Sequence, residues 1–395
     1  MSLNNTASGQ RVHIGFFGIR NAGKSSIVNK LTNQSISLVS AHKGTTTDPV
    51  KKAMEILPIG PVVIIDTAGF DDEGDLGELR KKRTYRTLDE IDIAVLVLDA
   101  RSESLTADEL DFVKLLKERK LPYIIIENHI DEAEAHEYSE LKGESLIYVD
   151  ATSDDMSQVK EALIKLLPEM KEPDLVADLV PKKSTVILVI PIDESAPKGR
   201  VILPQQMVLR DLLDHNCKAI CLQPEELAEA LEENKNVSLV ITDSQAFEKV
   251  SKLVPEEIAL TSFSILMARY RGSLATQLEG VAAMKGLNDG DTVLISEACT
   301  HHRQCNDIGT VKLPGWIKNY TGKNVEFEFS SGNEFPEDLK KYKLVVHCGG
   351  CMVNAAEMQN RVKHCKQQGV PVVNYGMAIA EFNGILDRSL KVLNN

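Results

Sequence analysis

Short apolar runs alternate with polar stretches of helical length along most of the 395-residue chain. Val12-His13-Ile14-Gly15-Phe16-Phe17, Val62-Val63-Ile64-Ile65, Ile93-Ala94-Val95-Leu96-Val97-Leu98 and Tyr123-Ile124-Ile125-Ile126 are mostly continuous apolar runs. They lack the every-second-residue polarity of a half-exposed strand, so they read as strands covered on both faces. The pattern predicts strands near 12–17, 50–57, 61–66, 93–99, 122–127 and 146–150, and helices near 24–31, 75–88, 105–118 and 156–168. Strands and helices in that order predict an α/β unit over 11–170 with a doubly wound, mostly parallel sheet. Lys171-Glu172-Pro173-Asp174 then breaks the pattern.

Two smaller α/β units are expected beyond the break. The first, 184–265, reads as strands at 185–190, 218–222, 237–241 and within 255–261, with helices at 205–213, 224–233 and 244–253. It has no phosphate loop and no catalytic constellation, which points to subunit pairing and a homodimer. The second, 266–395, begins with helices near 264–272 and 274–284. Its strands 291–296 and 343–346 lead into Glu297-Ala298-Cys299-Thr300-His301-His302 and His347-Cys348-Gly349-Gly350-Cys351. A helix at 354–367, a strand at 370–374 and a helix at 376–389 complete it. Two cysteine-bearing segments thus sit at the carboxyl ends of predicted parallel strands, the side on which open sheets hold ligands.

Composition narrows the function classes. The net charge of -13 argues against broad nucleic-acid binding. Neither a signal-like N-terminus nor an uncharged run of bilayer length is evident, so a cytoplasmic protein without membrane partners is expected. All seven cysteines lie beyond residue 216, which suggests a local task and not a disulfide framework. Cys217, Cys221 and Cys365 lie in or beside apolar segments and read as small core fillers.

The chemistry of the first unit is explicit. Gly18-Ile19-Arg20-Asn21-Ala22-Gly23-Lys24-Ser25 lies between a strand and a helix, the setting a phosphate-binding loop requires. The turn from Asn21 through Ala22, Gly23 and Ser26 offers backbone N–H groups to phosphates. Lys24 is placed to reach the β and γ oxygens, and Ser25 to hold Mg²⁺. Asp66-Thr67-Ala68-Gly69 ends another strand, with Asp66 directed at the Mg²⁺ shell and the Gly69 N–H at the γ-phosphate. In Gly44-Thr45-Thr46-Thr47-Asp48, Thr46 is the preferred Mg²⁺ and γ-phosphate contact and Thr45 the second choice. Lys24, Thr46 and Gly69 are therefore the expected catalytic set. Asn128 and Asp131 follow a strand, and a carboxylate at 131 would accept both guanine donors that adenine lacks. The Ala151 N–H is expected at the guanine O6. Phe70 stands where a water-positioning side chain would be sought, so slow hydrolysis and switch-like behaviour are expected.

The cysteine chemistry is more open. Cys348-Gly349-Gly350-Cys351 lets two thiolates face one centre, and Cys299 supplies a third. That set suits zinc with a histidine, three corners of a 4Fe–4S cluster, a redox pair, or unligated core thiols. Cys305 is an alternative third or fourth thiolate.

The nucleotide motifs resemble the Era and tRNA-modification GTPase group. That resemblance implies K⁺ near the phosphates, held partly by Asn21, and it puts a lysine where this chain has His129. A GTPase followed by Cys299-x-His301 and His347-Cys348-x-x-Cys351 resembles the FeFe-hydrogenase maturation GTPases along essentially the whole chain. The resemblance implies GTP/GDP, Mg²⁺ and a 4Fe–4S cluster on Cys299, Cys348 and Cys351. It also implies a diiron precursor as cargo, with two radical-SAM maturases and the hydrogenase apoprotein as partners. His301 and His347 would be cluster-associated as ligands, donors to ligands or loop organisers. A GTPase with a structural zinc module acting in RNA or ribosome maturation is the rival expectation, and a nucleotide-regulated thiol enzyme the third.

Overall fold

The computed structural model describes residues 9, 11–32, 50–67, 69, 84–129, 136, 138–152, 155–167, 174–192, 201–271, 273–298, 307–332, 334–350 and 353–394. They fall into two compact units, Met1–Lys171 and Glu172–Asn395.

The first unit carries β1 (Val12–Phe17), α1 (Lys24–Thr32), β2 (Val50–Ile56), β3 (Gly60–Asp66), β4 (Ile93–Asp99), α2 (Ala107–Arg119), β5 (Tyr123–Asn128), β6 (Leu146–Tyr148) and α3 (Ser157–Leu166). The sheet order is β2-β3-β1-β4-β5-β6, with β2 antiparallel to β3 and the other pairings parallel. Every residue of β4 is buried, as its unbroken apolar run requires. One face packs Ile14, Phe16, Val95 and Ile126 against Ile27, Val28 and Val159 of the helices. The other packs Phe17, Ile65, Leu96 and Ile125 against Phe112 and Leu116. Thr106 and Glu109 form a reciprocal capping box that starts α2, and Lys120 in the left-handed region ends it. Of the predicted 75–88 helix, residues up to 83 lie outside the described residues.

The second unit holds two four-stranded sheets. The first joins β7 (Thr185–Val189), α4 (Leu203–Asp214), β8 (Lys218–Leu222), α5 (Leu227–Glu233), β9 (Val237–Thr242), α6 (Phe247–Leu253) and β10 (Ala259–Ser262), in strand order β10-β9-β7-β8. Two helices follow, α7 (Phe263–Tyr270) and α8 (Leu274–Lys285). The other sheet joins β11 (Thr292–Glu297), α9 (Leu313–Thr321), β12 (Glu326–Ser331), β13 (Leu344–His347), α10 (Ala355–Gln367) and β14 (Val372–Asn374), in order β12-β11-β13-β14. All pairings in both sheets are parallel. One apolar core runs through both: Ile187, Val240 and Leu260 join Val293, Ile295 and Val346 through Ile265 and Met377.

The chain ends in α11 (Tyr375–Phe382) and α12 (Leu386–Lys391), not in one helix over 376–389. Gly384, at φ +66°, separates them, because the left-handed conformation closes a helix turn. The sequence reading also passed over α9 and β12. Cys221 is a correction: it is exposed on edge strand β8, whereas Cys217 and Cys365 are buried. An edge strand lacks a neighbour on one side, so an apolar run there does not guarantee burial.

Candidate functional site

In the first sheet, parallel pairing brings the carboxyl ends of four strands together. Phe16 pairs with Asp66, Phe17 with Leu96, and Asp99 with Asn128. The turn after β1 is glycine-dependent at both ends. A Cβ on Gly18 would lie 2.2 Å from the Val97 carbonyl oxygen, and one on Gly23 would lie 2.0 Å from Asn128 Nδ2. Both residues also have positive φ, +139° and +90°.

Lys24 is buried and its ammonium donates to the Gly18 and Ile19 carbonyls at 3.0 and 2.7 Å. The lysine charge is thus held inside the curl of the loop, where phosphate oxygens would be received. Ser25 Oγ donates to Asp66 Oδ2 at 3.2 Å. Asp66 Oδ1 is buried with no hydrogen-bond partner. Burial pushes this carboxyl up, opposed by the Lys24 charge and the Ser25 hydrogen bond. An orphaned buried oxygen beside a hydroxyl is a donor set that fits Mg²⁺, which favours oxygen ligands.

Asn128 joins three segments. Its Nδ2 donates to Ala22 O at 3.0 Å, and its Oδ1 accepts the Ala151 N–H at 3.0 Å. The amide expected at the guanine O6 is therefore directed at Asn128 here. His129, at φ +67°, brings Nε2 to 3.4 Å from Asn21 O. Ser26 is exposed at the start of α1 and Gly69 is half-buried beyond β3. Thr45, Thr46 and Asp131 lie outside the described residues. So do Cys299, His301, Cys305 and Cys351.

The second candidate edge is that of β11 and β13, where Ser296 pairs with His347. The Cys348 N–H donates to Ser296 O at 2.9 Å. Its Sγ accepts the Ala298 N–H at 3.1 Å, so it lies beside the residue that precedes Cys299. Backbone N–H donation to sulfur is an environment that suits a metal-bound thiolate. Behind the loop, Arg271 donates to Gly349 O and Gly350 O at 3.1 and 3.2 Å.

His347 is 1% exposed. Its Nδ1–H donates to Cys348 O at 2.7 Å, and its Nε2 accepts from Arg361 Nη1 at 3.2 Å. Both ring nitrogens are thus engaged by protein partners, one of them the Cys348 carbonyl. Burial, reinforced by the Arg361 charge, pushes its imidazole down to about 3. Arg361 also pairs with buried Glu357 and donates to Gly332 O. Sequence reading missed Arg271, Arg361 and Glu357. The Arg361–Glu357 pair has a signal in its four-residue spacing on one helix face. Arg271, far from the cysteines in sequence, has none.

Among the described residues, one group could offer three metal ligands: Asp174, Asp211 and His215. Asp211 Oδ2 is occupied by the N–H groups of Val176 and Ala177 at 2.8 Å, which makes it a cap for that segment. No helix among the described residues is long and apolar enough to cross a membrane.

Three family models match the chain in succession. A 50S ribosome-binding GTPase model covers 13–129, a hydrogen maturase F dimerization domain 175–272, and a hydrogen maturase F tetramerization domain 275–392. Similar curated proteins include the tRNA modification GTPase MnmE of Chromobacterium violaceum, 34% identical over 159 residues, 40% of this chain and 35% of that protein. GTPase Der of Chloroflexus aurantiacus is 33% identical over 135 residues, 33% of this chain and 30% of that protein. The chain thus spans about a third of the length of these relatives. Among solved structures, Aquifex aeolicus Era bound to GDP·AlF4⁻ is 16% identical with a TM-score of 0.33, covering 53% of this chain and 92% of that one. The G domain of the T. maritima FeoB iron transporter is 21% identical with a TM-score of 0.31, covering 40% of this chain and 99% of that one.

Proposed function

This chain belongs to the hydrogen maturase F family, and we propose that it is a GTP-hydrolysing scaffold that assembles or delivers a diiron precursor during FeFe-hydrogenase maturation. The observation that carries the reading is the pairing of an assembled nucleotide edge with a thiolate-bearing strand edge in a chain of this family. The GTPase domain is taken as 11–170, the dimerisation domain as 184–265 and the cluster domain as 266–395. Dimerisation through 184–265 is supported by the overlap with the dimerization model at 175–272. The tetramerization model over 275–392 extends the expected assembly beyond a dimer.

In the first domain Lys24 would neutralise charge on the β and γ phosphates, while Ser25, Asp66 and Thr46 would hold Mg²⁺. Mg²⁺ supplies charge compensation on the phosphate oxygens when bound. Asn128 and Asp131 read guanine, and the Gly69 N–H faces the γ-phosphate. Water adds to the γ-phosphorus, the bond to the β–γ bridging oxygen breaks, and GDP and phosphate leave. In the third domain Cys299, Cys348 and Cys351 hold a 4Fe–4S cluster, and the precursor is cargo. The two radical-SAM maturases and the hydrogenase apoprotein are the proposed partners, and K⁺ at Asn21 a proposed activator.

Anaerobic reconstitution, followed by iron and zinc analysis and by GTP and ATP titration, tests the reading. Expected are iron in excess over zinc, absorbance of an iron–sulfur cluster, and clear preference for GTP. Stoichiometric zinc without cluster absorbance would transfer the reading to a GTPase with a structural zinc module. Equal affinity for ATP and GTP would remove the guanine assignment.

A further inference from the structure

Arg101 lies two residues beyond β4 and plays no part in the site as described so far. Its Nε donates to Asp99 Oδ1 at 2.9 Å and its Nη2 to Oδ2 at 2.7 Å. The Arg101 backbone N–H adds a bond to Oδ1 at 3.0 Å. Partial burial pushes the Asp99 carboxyl up, but the Arg101 hydrogen bonds and charge outweigh that and hold it below its usual range. A fork of this kind fixes the guanidinium plane and its remaining donors. Nη2 is also 3.2 Å from the Asn21 carbonyl oxygen, to which it donates. His129 Nε2 approaches the same oxygen at 3.4 Å.

The consequence follows from the planarity of the peptide unit. Asn21 C=O and Ala22 N–H share one plane and point in opposite directions. A carbonyl drawn towards Arg101 and His129 therefore turns the Ala22 N–H into the loop, where it reaches Ile19 O at 3.5 Å. The next unit is set the same way, because Asn128 holds Ala22 O and so turns the Gly23 N–H. Asn21 itself has φ +64°, a conformation that a non-glycine residue keeps only when its surroundings hold it.

We propose that Arg101, locked on Asp99, is a positioning residue of the nucleotide site, which aims the Ala22 N–H at the phosphates by holding the Asn21 carbonyl. The role rests on the GTP-binding reading above. It gives the site a permanently charged anchor where position 129 offers a histidine.

The test is titration of the full-length, nucleotide-free protein with fluorescent GDP and GTP, alongside thermal unfolding and steady-state hydrolysis. Arg101→Ala is expected to weaken both nucleotides by about tenfold, as loss of a charged hydrogen bond does. KM should rise with kcat nearly constant, and the unfolding midpoint should stay near wild type. Arg101→Lys should lose less. Adding His129→Lys to Arg101→Ala should recover most of the affinity, because an ammonium at 129 can reach the same carbonyl. Wild-type affinity in Arg101→Ala would overturn the role. So would a loss that His129→Lys does not repair and that comes with a lowered midpoint, since the Asp99–Arg101 pair would then be structural only. If Arg101→Ala does not fold, wild-type affinity in Arg101→Met, accompanied by a normal midpoint, would overturn the role equally. A wild-type protein that binds neither nucleotide would overturn the GTP reading together with this role.

Discussion

The carboxyl edge of the first sheet and the edge of β11 and β13 are built on different plans. At the first, groups on neighbouring segments bond directly to one another across the site. Ser25 reaches Asp66, Asn128 joins Ala22 to Ala151, and Arg101 reaches Asn21. At the second, Cys348 likewise bonds to Ser296 O and the Ala298 N–H, but its loop is also held by side chains from outside it. Arg271 holds the two glycine carbonyls that follow Cys348, while His347, itself bonded by Arg361, holds the Cys348 carbonyl. The first plan makes the lining residues their own scaffold. The second adds buried polar side chains bonded to the carbonyls of the cysteine loop. A residue beside a motif cysteine can therefore have both ring nitrogens taken up by protein groups, as His347 does.

The strongest break of that comparison is a pair of variants read side by side. Lys24→Ala should lower GTP hydrolysis by roughly 10²–10³-fold, the scale for removing a charge that stabilises a transition state. Iron bound after reconstitution should stay near wild type. Cys348→Ala should do the reverse, abolishing most cluster absorbance while leaving hydrolysis largely intact. Measuring phosphate release, iron content and hydrogenase activation on both variants decides the matter. Loss of cluster assembly in Lys24→Ala would show that the two sites are not separable functions.

Asn128→Ala addresses the self-scaffolding of the first edge. The substitution removes two buried hydrogen bonds, each worth about 1 kcal/mol, and leaves the Ala22 carbonyl and Ala151 N–H to find water. Affinity for GDP and GTP should fall by about 10–100-fold in titration, on the same arithmetic. An unchanged dissociation constant would mean that the turn holds its shape without strand β5.

A finer test concerns support against ligation. A glutamine at 347 can donate to Cys348 O and accept from Arg361, reproducing the polar duties of the ring. His347→Gln should therefore keep iron content and the cluster's electron paramagnetic resonance signature. A changed signature at equal iron content would make His347 a ligand.

The two edges also differed in how much the sequence revealed. The nucleotide strands were legible because a strand covered on both faces is mostly apolar, and β1, β3, β4 and β5 each carry a mostly apolar run, with their polar residues concentrated at the carboxyl ends of β3, β4 and β5. Asn128 was legible as part of a local motif. Arg101 was within reach, since Asp99 ends an apolar strand and the arginine follows two residues later, but that pattern has no single chemical meaning. Strand β12 carries an alternating Glu326-Phe327-Glu328-Phe329 signal, short and without the continuous apolar run that marks the nucleotide strands. At the sheet edge both Glu328 and Phe329 are exposed, so its alternation does not mark one fully covered face. Arg271, just beyond α7, lies 78 positions from Gly349, and only the tertiary fold brings them together. Contacts of that range leave no local trace in a sequence.

The smallest expected effect lies away from both edges, where the second unit begins. His215 Nδ1–H donates to Asp211 O at 2.9 Å, and Nε2 lies 3.2 Å from Asp174 Oδ1. The Asp211 carbonyl bond, outweighing some desolvation, raises the imidazole above its ordinary value with help from the Asp174, Asp211 and Asp214 carboxylates. A histidine raised in the folded state binds its proton more tightly there than in the unfolded chain. Its stabilisation is then fully present below about pH 6.5 and is lost as pH rises through the folded value. His215→Gln should consequently lower the urea midpoint of the second unit's transition near pH 5.5 and change it little near pH 9. The side chain is partly exposed, so the difference should be small and should shrink further in high salt. Equal displacement of the two denaturation curves at both pH values would show that the ring contributes through its neutral hydrogen bonds alone. The clasp on Asp174 would then be as uncharged as the His347 ring next to the cysteine loop.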